Sequence, residues 1–149
     1  MDSTFVGRST KHDCAAYAYS CISDILANLK DCQDKYRSEV MSTGTRIHEA
    51  GLMQTLAFYC SKMKEDSSPH FQRLALHLMK WILRGAEVKG RAVDTSRWDD
   101  DRQRTLSLFE VLLEQRDESM MLLTADAKEV AQWLKRFADA RLEGTVVKR

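Results

Sequence analysis

The sequence is poor in residues that interrupt helices. Its 149 residues include one proline and six glycines, which favours long helices with few loops over many short strands. It lacks an apolar run of the roughly 18 residues that a membrane span needs, and its first residues do not resemble a secretory leader. We therefore expect a cytoplasmic protein in which residues 1–149 form one domain around one core.

An excess of charge of one sign is also lacking. The chain has 23 Lys and Arg residues against 22 Asp and Glu residues, a net charge of +1, so a nucleic-acid site must come from local clustering rather than bulk charge. None of the four cysteines belongs to a Cys-x-x-Cys pair, which argues against a zinc ribbon or a redox motif. We expect free, mostly buried thiols in a reducing cytoplasm, and no metal or cofactor.

Apolar residues recur at helical spacing along most of the chain, and no segment alternates as a strand would. We expect residues 1–12 and 144–149 to be frayed. The predicted fold class is all-α, a single-domain bundle of five or six helices. The predicted helices run from Asp13 to about Leu29, over Tyr36–Glu49, over Gly51–Lys62, from Ser68 to about Arg84, over Arg102–Gln115, and onward from a cap at Thr124.

Two aromatic residues stand out among polar neighbours. Phe58 lies on the otherwise polar side of the helix at Gly51–Lys62, which we take as the central helix, and we predict that it contacts a neighbouring subunit or a second helix layer. Trp98 lies in the longest predicted loop, 86–101, and is either folded back onto the core or exposed for a partner. Asp99–Asp101 in the same loop are better explained as the acidic start of the next helix than as metal ligands.

The predicted helix at 69–84 is apolar around most of its circumference and carries one basic stripe. No acid shares this stripe, so it is either the solvated edge of a core helix or an edge that contacts phosphates. The residues of the stripe are His70, Arg73, His77, Lys80 and Arg84.

Catalysis is not expected from this sequence. Only four histidines are present, and none is paired with a carboxylate on one helix face. A Gly-rich phosphate loop and a Gly-x-Ser-x-Gly turn are both missing. We therefore predict that the chain is not an enzyme.

Two blocks of sequence resemble one known family. Gly51–Lys62 reads Gly-Leu-x-Gln-Thr-Leu-Ala-Phe-x-x-Ser-Lys, and Leu123-Thr124 is followed by Trp133–Ala138, which reads Trp-Leu-Lys-Arg-Phe-Ala. Both blocks, their order and the chain length are similar to those of the small helical subunit of the type III-B CRISPR Cmr effector complex.

This resemblance implies a non-catalytic subunit that acts in antiviral defence. Several copies would stack along the guide–target RNA duplex, beside larger subunits that hold the guide and cut the target. Its partners would be other Cmr subunits, further copies of itself, and guide and target RNA bound without regard to sequence. The alternative is a helical protein–protein interaction module without RNA contacts.

We combine the basic stripe with cations of the two family-like blocks to predict an RNA-binding face. These six cations would share one face of the bundle and contact phosphates. Phe58 and Trp98 are the predicted subunit-interface residues. The predicted RNA-binding residues are Lys62, Arg73, Lys80, Arg84, Lys135 and Arg136.

Overall fold

A computed structural model describes residues 11–63, 68–88, 91–92 and 102–144 of the chain. Within these residues six α-helices form one bundle, in agreement with the predicted five or six, and a short antiparallel hairpin follows the fourth helix. Trp98, Asp99–Asp101 and most of the two predicted frayed ends lie outside the described residues. The elements are α1 (Lys11–Asn28), a 3-10 turn (Lys30–Cys32), α2 (Gln33–Ala50), α3 (Leu52–Lys62), α4 (Pro69–Ile82), β1 (Glu87–Val88), β2 (Arg91–Ala92), α5 (Arg102–Leu113) and α6 (Asp117–Arg141).

The central helix is α4, whereas the sequence favoured Gly51–Lys62. Every residue from Gln72 to Leu83 is buried, because α2, α3, α5 and α6 all pack against α4. A helix that is apolar around most of its circumference is typical of such a position. Pro69 occupies the first turn as predicted, while Ser68 makes no side-chain capping hydrogen bond.

Gly51 separates α2 from α3. Its φ of 90° and ψ of 161° lie in a region of backbone conformation that is open almost only to glycine. Its N–H still donates to Ile47 O at 2.9 Å, which closes the end of α2. The chain therefore breaks between α2 and α3 at this glycine.

Two expectations for the C-terminal half are wrong. Thr124 does not cap a helix, because α6 begins at Asp117, where two carboxylates in the first turn suit the positive end of the helix dipole. The second expectation comes from the periodicity of Arg102–Gln115, which predicts that Leu106, Phe109, Leu112 and Leu113 face inward. Leu106 and Leu113 are exposed, whereas Thr105, Leu108 and Leu112 are buried.

Candidate nucleic-acid interface

The predicted basic stripe on α4 is buried rather than solvated. Arg73 and Lys80 are each 3% exposed, and His70 and His77 are also buried. Only Arg84, past the end of α4, is partly exposed. The expectation of an exposed edge or of an open phosphate-binding edge is therefore wrong for Arg73 and Lys80, because neighbouring helices cover that side of α4.

Asp24 of α1 supplies the acid that the stripe lacks. Arg73 Nη1 donates to both oxygens of Asp24, at 2.7 and 2.8 Å. His77 Nε2 lies 2.8 Å from Asp24 Oδ2, and Asn28 Nδ2 donates to Oδ1 at 2.7 Å. A buried charge needs this kind of pairing, so the stripe on α4 is an anchor for α1.

Tyrosines extend this cluster to α2 and further along α1. Tyr36 Oη lies 2.6 Å from His77 Nδ1, and Tyr17 Oη donates to the His77 carbonyl at 2.6 Å. With Asp24 ionised, a neutral His77 donates from Nε2 to Asp24 and accepts from Tyr36 at Nδ1. The cluster thus joins α1, α2 and α4 inside the core.

The pKa values agree with this arrangement of charges. Burial alone would raise the pKa of Asp24, but the hydrogen bonds from His77 and Asn28 and the positive charge of Arg73 outweigh it and lower the pKa to about 2. Burial lowers the pKa of His77 despite its bond to Asp24. The carboxylate is therefore ionised and the imidazole neutral near pH 7.

Arg84 and Lys62 are each held by neighbouring side chains. The Arg84 guanidinium stacks 3.7 Å from the centre of the Trp81 ring and contacts Asp126 Oδ2 at 3.3 Å. Lys62 Nζ lies 5.8 Å from the centre of the Phe58 ring. Because Arg73 and Lys80 are buried, the expectation that all six cations share one exposed face is wrong.

Contacts within the chain cover much of Phe58. Its ring meets Phe71 edge-on at 5.9 Å, and the Arg46 guanidinium lies 4.8 Å from its centre. These contacts explain an aromatic side chain on the polar side of α3, since two cations shield it. Its contact with a neighbouring subunit stays a prediction.

Lys135 and Arg136 are the two exposed members of the predicted set. Lys135 lines a groove of about 360 Å³ between α2 and α6. The groove is also lined by Gly44, His48 and Glu49 of α2 and by Lys128 of α6. Neither Lys135 nor Arg136 forms an ion pair within the described part of the chain, in contrast to Arg73 and Arg84. The groove therefore brings Lys135 together with a second lysine, Lys128, and with one carboxylate, Glu49.

Sequence reasoning missed the contribution of Lys128 to this groove. Lys128 and Lys135 are seven residues apart, a spacing of two helical turns that places both on one face of α6. The periodicity of the last helix carried this signal, because it places Lys128 and Lys135 on one polar side. The predicted set, however, was drawn only from the basic stripe and the two family-like blocks.

Aromatic side chains form a row along another side of α6. Trp133 and Phe137 stack with ring centres 5.8 Å apart, and Phe137 meets Tyr19 of α1 edge-on at 5.3 Å. Trp133 Nε1 donates to Glu129 at 2.8 Å, and the Arg141 guanidinium lies 4.2 Å from the centre of the Tyr19 ring. We call Tyr19, Trp133 and Phe137 the aromatic row.

Among the described residues, no group of three His, Cys, Asp or Glu side chains could hold a metal ion. The four cysteines are free thiols. Burial raises the pKa of Cys14 to about 12 and that of Cys60 to about 11, so neither forms the thiolate that nucleophilic chemistry requires. Within the same part of the chain, no helix is long and apolar enough to cross a membrane.

A sequence-family model described as CRISPR-associated protein (Cas_Cmr5) matches residues 10–141. The match spans α1 to the end of α6, and so includes the buried cluster, the α2–α6 groove and both blocks that resemble the family. The chain therefore belongs to the Cmr5 family, the small subunits of the multisubunit Cmr complexes in type III-B CRISPR systems.

Proposed function

We propose that this chain is a non-catalytic small subunit that stacks in several copies along the guide–target RNA duplex of a Cmr complex. The observation that carries this proposal is the family match over residues 10–141. In RNA-guided complexes, base pairing with the guide determines which target sequence is bound. This subunit therefore needs to recognise only the backbone and the shape of the duplex.

The α2–α6 groove is the surface that we assign to RNA phosphates. Lys128 and Lys135 line it and lie roughly 10 Å apart along α6 at 1.5 Å per residue, and Arg136 lies beside them. Neutral donors from Thr45 and Gln132 also line the groove, and such side chains commonly bond phosphate oxygens. Lys62 is a further candidate, but it lies on the Phe58 side of the molecule.

Three members of the predicted set contribute less to this proposal. Arg73 and Lys80 are buried in the core, and we no longer place them at the RNA. Arg84 is partly balanced by Asp126, which weakens its attraction for a phosphate. The proposed phosphate contacts are thus Lys128, Lys135 and Arg136.

The absence of catalysis is also part of the proposal. Asp24, His77 and Tyr36 resemble an acid–base relay in their connectivity, but all three are buried and substrate cannot reach them. Their bonds join three helices, which accounts for them as structural groups. Target cleavage then belongs to the larger subunits.

The salt dependence of RNA binding tests the phosphate contacts. The complex should be assembled with Lys128→Ala and Lys135→Ala in this subunit, and its affinity for target RNA measured from low to moderate salt. Each lost phosphate contact should flatten the plot of log affinity against log salt by about 0.7. We expect a loss of roughly 1.4 per altered copy that contacts RNA, equal for unrelated guide–target pairs.

A matched control removes the same charge elsewhere. Lys30→Ala with Lys35→Ala takes two exposed lysines from the 3-10 turn and the first turn of α2 and should leave the slope unchanged. An unchanged slope in the groove variant would contradict the phosphate contacts, and equal losses in both variants would indicate a bulk charge effect only.

A protein-interaction module without RNA contacts is the second candidate function. The exposed Met121 and Leu122 favour it, since apolar side chains of this kind mark interaction surfaces. Under this alternative the groove variant assembles normally and binds RNA with the slope of the unaltered complex.

A further inference from the structure

Two residues of α2 are unfavourable choices for a helix, and both line the α2–α6 groove. Gly44 lies in the interior of α2, where glycine is less stable than alanine. Glu49 lies in the last turn of the same helix, where the negative end of the helix dipole disfavours a carboxylate. The stability of α2 therefore explains neither residue, and their shared position in the groove suggests a role in binding.

Helix packing does not require a glycine at position 44. Glycine is needed where a second helix approaches so closely that a side chain would clash, but a Cβ added to Gly44 would meet no atom of the described residues within 4 Å. The missing side chain instead leaves open space in the floor of the groove. A ligand can enter this space.

The polar side chains that line the groove are not used by the fold. None of them forms an ion pair or a side-chain hydrogen bond with another residue of the described ranges. They are Thr45, His48, Glu49, Lys128, Gln132 and Lys135. Elsewhere on α2, in contrast, Arg37 and Arg46 each pair with a carboxylate. The groove therefore holds a set of polar groups that are available to a ligand.

The order of these groups follows from the direction of the two helices. Arg37 near the start of α2 pairs with Asp139 near the end of α6, so the helices run antiparallel. Gly44 lies seven residues after Arg37, and Gln132 lies seven residues before Asp139. Gly44 therefore faces the stretch of α6 between its two groove lysines, and Glu49 lies toward the end that carries Lys128.

The carboxylate determines which ligand fits. The two lysines attract phosphates, whereas Glu49 repels them. An ionised carboxylate can only accept hydrogen bonds, so the group that it binds must be a donor. The ribose 2′-hydroxyl is a donor that RNA carries along its backbone and that DNA lacks. Two cations with one acceptor between the helices thus suit a ribose flanked by phosphates.

We propose that the α2–α6 groove recognises the ribose of RNA. Glu49 accepts a hydrogen bond from a 2′-hydroxyl, the sugar lies against Gly44, and Lys128 and Lys135 contact the flanking phosphates. This inference rests on the proposed function, and it names the group that makes the groove selective for RNA over DNA. Glu49 and Gly44 are then the residues that determine specificity.

Replacing the hydroxyl and the carboxylate together tests the hydrogen bond. Complexes that carry Glu49→Ala or the unaltered subunit should be assembled, and their affinity for target measured with 2′-fluoro groups in the target strand, in the guide, or in both. A 2′-fluoro strand keeps the A-form geometry but has no hydroxyl to donate. Because a hydrogen bond to a charged group contributes about 1.5 kcal/mol or more, the preference for unmodified RNA should fall by about tenfold in Glu49→Ala.

The sign of the change separates this hydrogen bond from simple repulsion. Glu49→Ala should bind the fluorinated duplex more tightly than the unaltered complex does, since a negative charge is gone, but it should not bind unmodified RNA more tightly. Equal tightening for both, or the same fluorine penalty in both complexes, would overturn the proposal.

Gly44→Ala tests the space for the sugar. The added methyl group should lower the affinity for RNA several-fold although it raises the melting temperature of the subunit, a combination that a purely structural role would not produce. Ser38→Ala is the matched control, because Ser38 is exposed on α2 and does not line the groove. Unchanged RNA affinity in Gly44→Ala would contradict a sugar at this position.

Failure of this inference is distinct from failure of the proposed function. If Glu49→Ala leaves the fluorine penalty unchanged while the lysine variant flattens the salt slope, the phosphate contacts stand and ribose recognition is wrong. An unchanged slope in the lysine variant would overturn the phosphate contacts and, with them, this position of the sugar.

Discussion

Asp24 determines how the positive charges of α4 are used. Its carboxylate holds Arg73 and His77 in the core, and two stripe residues that could have faced a ligand therefore join α1 to α4. A buried ion pair adds little net stability relative to apolar groups, but removing one partner leaves a buried, uncompensated charge.

Asp24→Asn should therefore destabilise the fold strongly. It keeps the shape of the side chain but removes the buried carboxylate charge that pairs with the Arg73 guanidinium, and we expect the free energy of unfolding to fall by about 3 kcal/mol. Asp139→Asn is the matched control, because Asp139 pairs with Arg37 at 2.6 Å while its side chain is 67% exposed. That change should cost less than about 1 kcal/mol in chemical denaturation, and equal costs for the two variants would contradict the role of Asp24.

His70 makes stability depend on pH. Burial, aided by the charge of Lys35 and opposed by Asp34, lowers the pKa of His70 to about 4, and Nδ1 has no hydrogen-bond partner among the described residues. Its pKa in the unfolded chain is about 6.5. The unfolded state therefore binds a proton that the folded state does not, so stability is complete above about pH 6.5 and decreases as the pH falls toward 4.

His70→Gln should reduce this dependence. Between about pH 6 and 4.5 the histidine contributes a slope of at most about 1.4 kcal/mol per pH unit. Denaturant unfolding at several pH values should show a shallower slope in His70→Gln, whereas the exposed His48→Gln should match the unaltered protein. A slope that persists in His70→Gln would assign the effect to other groups, such as His77.

At the scale of elements, two glycines of the α2–α3 segment have opposite roles. A Cβ added to Gly44 inside α2 meets no atom within 4 Å, and the same holds at Gly51, where a positive φ imposes strain instead. Glycine within a helix is unfavourable relative to alanine.

Gly44→Ala should raise the free energy of unfolding by about 0.5–1 kcal/mol, and Gly51→Ala should lower it by about 1–3 kcal/mol. Thermal melts of the two single variants measure both signs. A stabilising Gly51→Ala would contradict the positive-φ boundary between α2 and α3, and a destabilising Gly44→Ala would contradict a regular helix at that position.

The position of α4 shows why the site was harder to predict than the helices. Periodicity correctly aligns His70, Arg73 and His77 along one side of a helix, but it does not reveal which helix covers that side. A signal was available in α1, because helical spacing places Cys21 on the core-facing side of this helix and Asp24 lies three residues after it. An acid on a core-facing side of one helix and a cation stripe on another favour a buried pair.

At the scale of the whole molecule, low proline and glycine content and repeated helical periodicity were sufficient to predict an all-helical bundle. The residues of the two family-like blocks were sufficient to identify the family, and the match over residues 10–141 confirms this identification. The predicted RNA-binding face could not be derived in the same way. Whether residues of different helices share a face depends on how the helices pack and not on the spacing of residues in the sequence. Lys135 and Arg136 remain exposed, whereas Arg73 and Lys80 are covered.

The free protein should not cleave RNA. We expect no products when purified protein is incubated with labelled RNA and magnesium or manganese, because Asp24, His77 and Tyr36 are sealed in the core. Cleavage that co-purifies with the protein and disappears in a His70 or Asp99–Asp101 variant would contradict a non-catalytic subunit.

Photo-crosslinking in the assembled complex tests the central claim most directly. A photoreactive phenylalanine analogue at Gln132, which is exposed in the α2–α6 groove, should crosslink to guide or target RNA. The same analogue at Ser107, exposed on α5, should not. Crosslinks from the groove to protein alone, with none to RNA, would contradict the account.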